Sequence, residues 1–283
     1  MTRETIRCAG QVVLAVVVLA GLPGCASQKA GLEVLEVDPQ LSIVLERGAN
    51  SAIFVGEEEV LVVDPKLGKG AELLRAMVAD EAGGRDITVI NTHYHYDHVR
   101  GNRLYPEARV ITGAYTREEW EKGGTGAEYP DETVTDTLVL DVGNEKVLLV
   151  NMGWGHTLND MVVQFKEREV LLTGDLVFEG RHPVLWGAHT VKWQAALERL
   201  LAAHYGAAYG GEEITVVPGH GPVGDIGAIE RMRDYFADIR AALDDEAELK
   251  ALREKYKDYS GLLFLVSFNR TVKVMREELG GGQ

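Results

Sequence analysis

Cysteine is nearly absent from this chain, since only Cys8 and Cys25 occur among its 283 residues. Two thiols cannot build a disulfide framework or a cysteine-rich zinc site. Basic residues are also scarce: 29 Lys and Arg stand against 44 Asp and Glu, and the formal net charge is -15. Because nucleic-acid binding needs clustered positive charge, this balance argues against a nucleic-acid partner.

Long apolar runs are missing except near the N-terminus, where Gln11–Leu22 follows Arg3 and Arg7. This run is shorter than the roughly 20 apolar residues of a membrane-spanning helix and has the layout of a secretory signal. The Leu-Pro-Gly-Cys at its end resembles a bacterial lipobox, which implies cleavage before Cys25 and acylation of its thiol. An ordinary signal peptide or an uncleaved anchor is the alternative.

The lipobox interpretation predicts a signal peptide over 1–24 and a linker over 25–32. The protein would then be exported and held in the bacterial cell envelope by a lipid on Cys25, in the periplasm or at the outer membrane of a Gram-negative host. Cleavage also removes Cys8, so any metal in the folded part must be held by His, Asp or Glu.

After residue 32, short apolar runs alternate with helical patterns, and the alternation occurs twice. Apolar spacing predicts a helix over Gly70–Glu81 and another over about Val191–His204. C-terminal amphipathic helices are predicted from about residue 225, over Asp225–Leu243 and Glu246–Tyr259. Strands followed by a helix, and then the same pattern again, predict a single α/β domain over 33–283 in which two sheets pack together with helices outside.

Four predicted strands each lead into residues of a metal-ligand type. Since strand ends on one edge of a sheet converge, these side chains are expected to form one site. Seven groups are too many for one tetrahedral zinc but suit a pair of cations that share a carboxylate. The seven are His93, His95, Asp97, His98, His156, Asp175 and His220.

These residues lie in four motifs: His-x-His-x-Asp-His, Gly-His-Thr, Thr-Gly-Asp and Gly-His-Gly. Their order and spacing over about residues 33–225 resemble the metallo-β-lactamase superfamily. The resemblance implies a four-layer αββα sandwich of two mixed β-sheets flanked by helices. It also implies two zinc ions per chain, although iron or manganese accept the same donors.

Carried over to this chain, the resemblance assigns His93, His95 and His156 to the first metal. It assigns Asp97, His98 and His220 to the second metal, with Asp175 bridging the two. A hydroxide shared by the metals would be the nucleophile, and Asp97 would steer it and shuttle its proton.

The reaction that we expect is zinc-dependent hydrolysis of an ester, thioester, lactone or amide bond in a small molecule outside the cytoplasm. A β-lactamase proper, an iron-dependent redox enzyme of the same fold, and a binding protein without turnover are the alternatives. One group of β-lactamases has Cys at the position of Asp175 and Lys at that of Phe178, so lactamase activity ranks second.

Substrate choice is expected to lie in the segment Phe178–Trp193, directly after the bridging carboxylate. Arg181, His182 and Trp186 are its candidate substrate-binding residues. Because Trp covers a large area and Arg pairs with carboxylate, an apolar acid would suit them. The spacing of Trp193 favours a place in the core of the following helix. The sequence gives no oligomeric state.

Overall fold

The computed structural model describes residues 26–29, 31–123, 125–143, 145–204, 214–261 and 266–280. The predicted signal peptide over 1–24 and the predicted lipidation site Cys25 lie outside the described residues. Within the described ranges, no helix combines the length and the apolar character that crossing a membrane requires.

The first half of the chain forms an eight-stranded sheet whose strands lie side by side in chain order. The strands are antiparallel up to the fifth and parallel from there to the eighth, so the sheet is mixed. They are β1 (Ala26–Lys29), β2 (Leu32–Glu36), β3 (Leu41–Leu45), β4 (Ser51–Val55), β5 (Glu59–Val63), β6 (Asp86–Ile90), β7 (Arg109–Gly113) and β8 (Glu132–Val134).

Helical segments make the crossovers between the parallel strands, as parallel pairing requires. Helix α1 (Gly68–Ala82) joins β5 to β6 and confirms the helix predicted over Gly70–Glu81. A short helix α2 (Tyr96–Val99) with a 3-10 turn at Arg100–Leu104 follows β6, and α3 (Arg117–Lys122) follows β7.

Part of the predicted linker belongs to this sheet. Ala26–Lys29 pairs antiparallel with β2, with Ala26 opposite Leu35 and Lys29 opposite Leu32. These four residues, which the linker prediction over 25–32 includes, form the edge strand of the sheet in a hairpin with β2.

The second sheet has five strands in the order β13-β12-β11-β10-β9. Only β12 and β13 are parallel, and helix α4 (Thr190–His204) lies between them in the chain. The chain then continues through α5 (Gly227–Ala241), α6 (Glu246–Lys255) and α7 (Phe268–Gly280). The strands are β9 (Thr137–Asp141), β10 (Lys146–Gly153), β11 (Asp160–Phe165), β12 (Val170–Phe178) and β13 (Thr215–His220).

Three apolar clusters hold four layers together. Residues of both sheets, with Phe54 and Phe165 at 5.6 Å between ring centroids, form the cluster between the sheets. The outer face of the first sheet packs on Leu74 and Val78 of α1. The outer face of the second sheet packs on α4 to α7. The predicted sandwich of two mixed sheets with helices on both sides is confirmed.

Trp193 of α4 lies fully buried in the outer cluster of the second sheet. Its Nε1 donates to the carbonyl of Leu176 at 2.9 Å, and its ring lies 4.9 Å from that of Phe236. Trp193→Ala is expected to lower the free energy of unfolding by about 3–5 kcal/mol, because the ring leaves a cavity. Denaturant unfolding measures this, with Trp186→Ala as the control because Trp186 is 44% exposed. Equal losses in the two variants would contradict the prediction.

Candidate metal centre

Four strand ends meet at one edge of the sandwich and carry the seven predicted ligands. β6 leads into the loop that holds His93 and His95, and α2 directly after it carries Asp97 and His98. His156 follows β10, Asp175 lies within β12 and His220 ends β13. The structure thus brings together residues that are up to 127 positions apart, as the sequence predicts.

The first cluster consists of His93, His95, His156 and Asp175, whose ligand atoms all lie within 4.8 Å of one another. His156 Nε2 is 2.8 Å from His95 Nδ1 and 3.3 Å from Asp175 Oδ2. His93 Nε2 is 3.8 Å from the same Asp175 oxygen. Three imidazoles and one carboxylate oxygen are a donor set that suits zinc.

The second cluster consists of Asp97, His98 and His220. Asp97 Oδ2 lies 3.2 Å from His220 Nε2 and 4.0 Å from His98 Nε2. Asp97 is 19% exposed and His220 is 16% exposed, and both also line the cavity above the cluster, whereas His98 is fully buried.

Asp175 lies between the clusters and presents one oxygen to each. Its Oδ2 faces the first cluster, and its Oδ1 lies 3.2 Å from His98 Nε2 and 3.5 Å from His220 Nε2 of the second. A carboxylate with this placement suits two cations at once.

Outer partners orient the imidazoles so that their second nitrogen faces the centre. His156 Nδ1 donates to the carbonyl of Val184 at 3.0 Å, and His98 Nδ1 donates to Asp64 Oδ2 at 2.8 Å. His93 Nε2 is buried and has no hydrogen-bond partner among the described residues. Metal-binding histidines show this arrangement, because the outer bond fixes the tautomer and the ring orientation.

Protonation differs between the two clusters. Burial lowers the pKa of His95 to about 4 and that of His156 to about 3, and it holds the pKa of His93 well below its usual value. Burial acts on His98 and His220 as well, but the neighbouring carboxylates outweigh it and raise both pKa values. At pH 7 the first three imidazoles are therefore neutral and free to bind a cation, whereas His98 and His220 hold a second proton more strongly than an ordinary histidine does.

Two glycines leave room for neighbouring side chains of the centre, Gly219 for Asp175 and Gly174 for Thr92. A Cβ at Gly219 would lie 2.0 Å from Asp175 Oδ1. Gly174 has φ +52°, and a Cβ there would lie 2.5 Å from Thr92 Oγ1. The glycines of the Thr-Gly-Asp and Gly-His-Gly motifs are thus required by close approach, and at Gly174 also by a backbone conformation that glycine adopts readily.

The predicted substrate-binding residues lie around a cavity of about 230 Å³ above the centre. Arg181, His182 and Trp186 all line it, together with Phe178. His182 takes no part in the metal clusters of the described residues; its Nδ1 lies 2.9 Å from the Tyr235 hydroxyl. Trp193 belongs to the core, as its spacing indicates.

Asp64 is the functional residue that sequence reasoning missed. It follows β5, where its place before Pro65 predicts only a strand-ending turn. In the structure its Oδ2 accepts from His98 Nδ1 at 2.8 Å and from Thr92 Oγ1 at 2.7 Å, while its Oδ1 accepts from Thr92 N at 2.8 Å. The pairing of β5 with β6 brings Asp64 beside the ligand loop.

Asp64→Asn is expected to weaken binding of a divalent cation about 10-fold to 100-fold, because His98 loses the carboxylate that orients it. Asn keeps the size of the side chain and tolerates the positive φ of 50° at this position, so the fold should persist. Competition with a chromogenic chelator measures the affinity, with Asp80→Asn on the exposed face of α1 as control. Unchanged affinity would show that Asp64 does not orient His98.

Comparison with known proteins identifies the family. The sequence model of the Metallo-beta-lactamase superfamily matches residues 45–220. A Metallo-beta-lactamase type 2 from Bacillus cereus is 33% identical over 172 residues, which are 59% of this chain and 62% of that protein. A Hydroxyacylglutathione hydrolase from a Synechococcus strain is 34% identical over 127 residues, 42% of this chain and 44% of that protein. The chain thus spans about three fifths or less of the length of these relatives.

Solved structures agree on the fold. The metallo-beta-lactamase from Pontibacter korlensis superimposes with a TM-score of 0.63 over 73% of this chain and 99% of that chain, at 22% sequence identity. At this identity the likeness concerns the fold alone. Since the family model covers most of the residues from β3 to β13, the chain belongs to the metallo-β-lactamase superfamily.

Proposed function

We propose that this chain is a hydrolase that holds two divalent cations and cleaves an ester, thioester, lactone or amide bond of a small molecule. The observation that carries the proposal is the placement of Asp175, which turns one carboxylate oxygen to each of two ligand clusters. The relatives named as a β-lactamase and as a Hydroxyacylglutathione hydrolase support hydrolysis as the reaction.

Zinc is the metal that we propose for both clusters. The donors are imidazole nitrogen and carboxylate oxygen, which suit zinc, and iron and manganese accept them as well. The buried Nε2 of His93, which lacks a hydrogen-bond partner within the described residues, fits a cation at the first cluster. When bound, two zinc ions supply a hydroxide nucleophile at neutral pH and polarise the bond that is cleaved.

Asp97 is proposed as the residue that steers the nucleophile and moves its proton. Burial would raise the pKa of this carboxyl, but the charge of His98 and the hydrogen bond from His220 outweigh burial and lower it. The carboxylate is therefore ionised at neutral pH and able to accept a proton. Asp97 also lines the cavity, which supports transfer of that proton to a leaving group bound there.

Elemental analysis of the protein purified without added metal tests the proposal, together with a panel of a small ester, a thioester, a lactone and a β-lactam. About two zinc ions per chain and turnover of any panel member would support it. Iron without hydrolysis would indicate the redox alternative, and bound metal without turnover would indicate a binding protein. Fewer than one metal per chain would contradict the ligand assignment. The β-lactam belongs in the panel because of the relative from Bacillus cereus.

The two clusters are expected to differ in how zinc uptake responds to pH. The neutral histidines of the first cluster release no proton at pH 7, and its affinity should stay constant down to about pH 5, above the pKa of about 4 at His95. His98 and His220 have raised pKa values, so protons compete with zinc more strongly there and its affinity should fall as the pH falls.

Calorimetric zinc titration in two buffers of different ionisation enthalpy counts the released protons. We expect more proton release with the second equivalent than with the first at pH 7, because the pKa values of His98 and His220 are raised and those of the first three histidines are lowered. Equal release with both equivalents would contradict the assignment of protonation states.

Export and lipid anchoring are proposed for the same protein on the N-terminal sequence. The run before Cys25 and the Leu-Pro-Gly-Cys motif support them. Expression of the full chain with Cys25→Ser as the control tests the idea: the unchanged chain should lose residues 1–24 and carry added lipid mass, and the variant should carry no lipid mass. A chain without lipid mass would indicate an ordinary signal peptide or an uncleaved anchor.

A further inference from the structure

The cavity above the two clusters has an apolar wall. Four residues of the two clusters line it, namely His95, Asp97, Asp175 and His220, and five aromatic and aliphatic side chains line it as well. These are Tyr96, Phe178, Val184, Trp186 and Val266. A pocket that is apolar apart from a few polar groups at one end holds an apolar ligand with its reactive group at that end.

Two of the wall residues are exposed aromatic side chains at the entrance. Trp186 is 44% exposed and Tyr96 is 38% exposed, which makes them two of only five large hydrophobic side chains exposed among the described residues. Isolated exposed hydrophobic residues are ordinary, but two aromatic rings at the entrance of a catalytic cavity provide a surface that a bound apolar group would cover.

The basic side chain of the cavity is already paired. Arg181 is the one Lys or Arg of the described residues that lines it, and its Nη2 lies 2.7 Å from Glu46 Oε1. The same Glu46 oxygen accepts from the amide of Gly221, the residue after His220, at 3.1 Å. A substrate carboxylate would have to compete with Glu46 for the guanidinium.

The loop that carries Glu46 is fixed from beneath. The buried Lys66 Nζ donates to the carbonyl of Glu46 at 2.7 Å and to that of Val44 at 3.1 Å. The amide of Glu46 donates to Asn50 Oδ1 at 2.9 Å. Glu46 is therefore held at the rim of the cavity by its backbone, and its charge offsets that of Arg181.

We propose that the substrate is an uncharged ester, thioester, lactone or amide whose acyl group is apolar and lies against Trp186. The inference rests on the proposed function and narrows it. It also revises the apolar acid that the sequence suggests, because the one arginine expected to bind a carboxylate is paired with Glu46.

A series of 4-nitrophenyl esters from acetate to octanoate tests the apolar wall with the metal-loaded protein. We expect kcat/KM to rise about threefold for each methylene that enters the cavity. Trp186→Ala should flatten this rise, because it removes the apolar surface that the longer acyl groups would cover. Leu279→Ala, which removes an exposed side chain outside the cavity lining, should keep the full rise.

The role of Glu46 is tested with the hexanoate ester and its counterpart that ends in a carboxylate. The unchanged protein should prefer the uncharged ester. Glu46→Gln keeps an oxygen for the Gly221 amide but removes the charge that offsets Arg181, so it should raise kcat/KM for the charged ester about twofold to fivefold relative to the uncharged one. An unchanged protein that prefers the charged ester would overturn the inference.

Ketone analogues separate a failure of this inference from a failure of the proposed function. A series of 2-alkanones of rising length cannot be hydrolysed, and its binding is followed by tryptophan fluorescence. If no ester is cleaved but ketone affinity rises with length and falls in Trp186→Ala, the apolar pocket stands and the hydrolase proposal fails. If esters are cleaved without any dependence on length, hydrolysis stands and the inference is wrong. No cleavage and no dependence of ketone binding on length would overturn both.

Discussion

Replacing Asp97 by Ala is expected to lower kcat/KM for every substrate that the protein cleaves by about 100-fold to 10,000-fold, the range associated with loss of a positioned acid or base. Asp97 lies at the floor of the cavity with its Oδ2 3.2 Å from His220 Nε2. Without Asp97, the second cluster keeps only His98 and His220, together with the Oδ1 oxygen of Asp175 that faces them. The first cluster keeps all four of its ligands.

Metal analysis of the same variant makes this prediction specific. The protein with Asp97→Ala should retain about one zinc ion per chain, because only the second cluster loses a ligand. Circular dichroism and thermal unfolding would check that the fold survives. Asp80→Ala, an exposed carboxylate on α1, is the control and should leave rate and metal content unchanged. Full activity of Asp97→Ala would exclude the assigned role in nucleophile activation.

The grouping of the candidate ligands could be predicted from the sequence because each follows a short apolar run, although Asp175 lies within β12 and Asp97 and His98 lie on α2. The motifs identify the residue types, and the position of these residues at one edge of a sheet predicts that they converge. Asp64 has the same position after β5 but lacks a second ligand-type residue beside it, and only the parallel pairing of β5 with β6 shows which histidine it contacts. Which residue contacts a ligand histidine from outside depends on the register of these two strands, and a single sequence does not reveal that register.

Helices could be predicted where apolar residues recur clearly at helical spacing. The helices over Gly70–Glu81 and Val191–His204 agree with α1 and α4 to within about two residues. Helix α7 was missed although Phe268, Val272 and Met275 have helical spacing and are buried. At α3, Thr116 and Glu119 form a capping box, a signal that could have located that short helix.

The ion pair between Arg181 and Glu46 is a feature of the proposed substrate site that the sequence does not predict. Glu46 and Arg181 are 135 positions apart, and the loop after β3 brings them together at the rim of the cavity. The sequence predicts Arg181, His182 and Trp186 near the centre because they follow Asp175 closely in the chain, and all three line the cavity. It cannot say that the guanidinium already has an acidic partner, and that partner decides whether an anion or an uncharged group fits.

Asp175→Asn is expected to have a larger effect than Asp97→Ala, because Asp175 serves both clusters. The amide is neutral and keeps a single acceptor oxygen, so neither cluster retains its shared anion. Metal content should fall from about two ions to fewer than one per chain at micromolar protein concentration. The loss of affinity should exceed the roughly 10-fold to 100-fold expected when only an outer partner such as Asp64 is changed.

The pKa values of His98 and His220 provide a second measurement, one that needs no substrate turnover. Asp175 raises the pKa of both His98 and His220 in the metal-free protein, so Asp175→Asn should lower both pKa values. NMR titration of the imidazole signals would detect this shift. The three carboxylates then form a graded series in metal retention: Asp64→Asn weakens binding, Asp97→Ala empties one cluster, and Asp175→Asn empties both. If Asp175→Asn kept two tightly bound zinc ions, the carboxylate that faces both clusters would not be their bridge, and the dinuclear proposal would lose the observation that carries it.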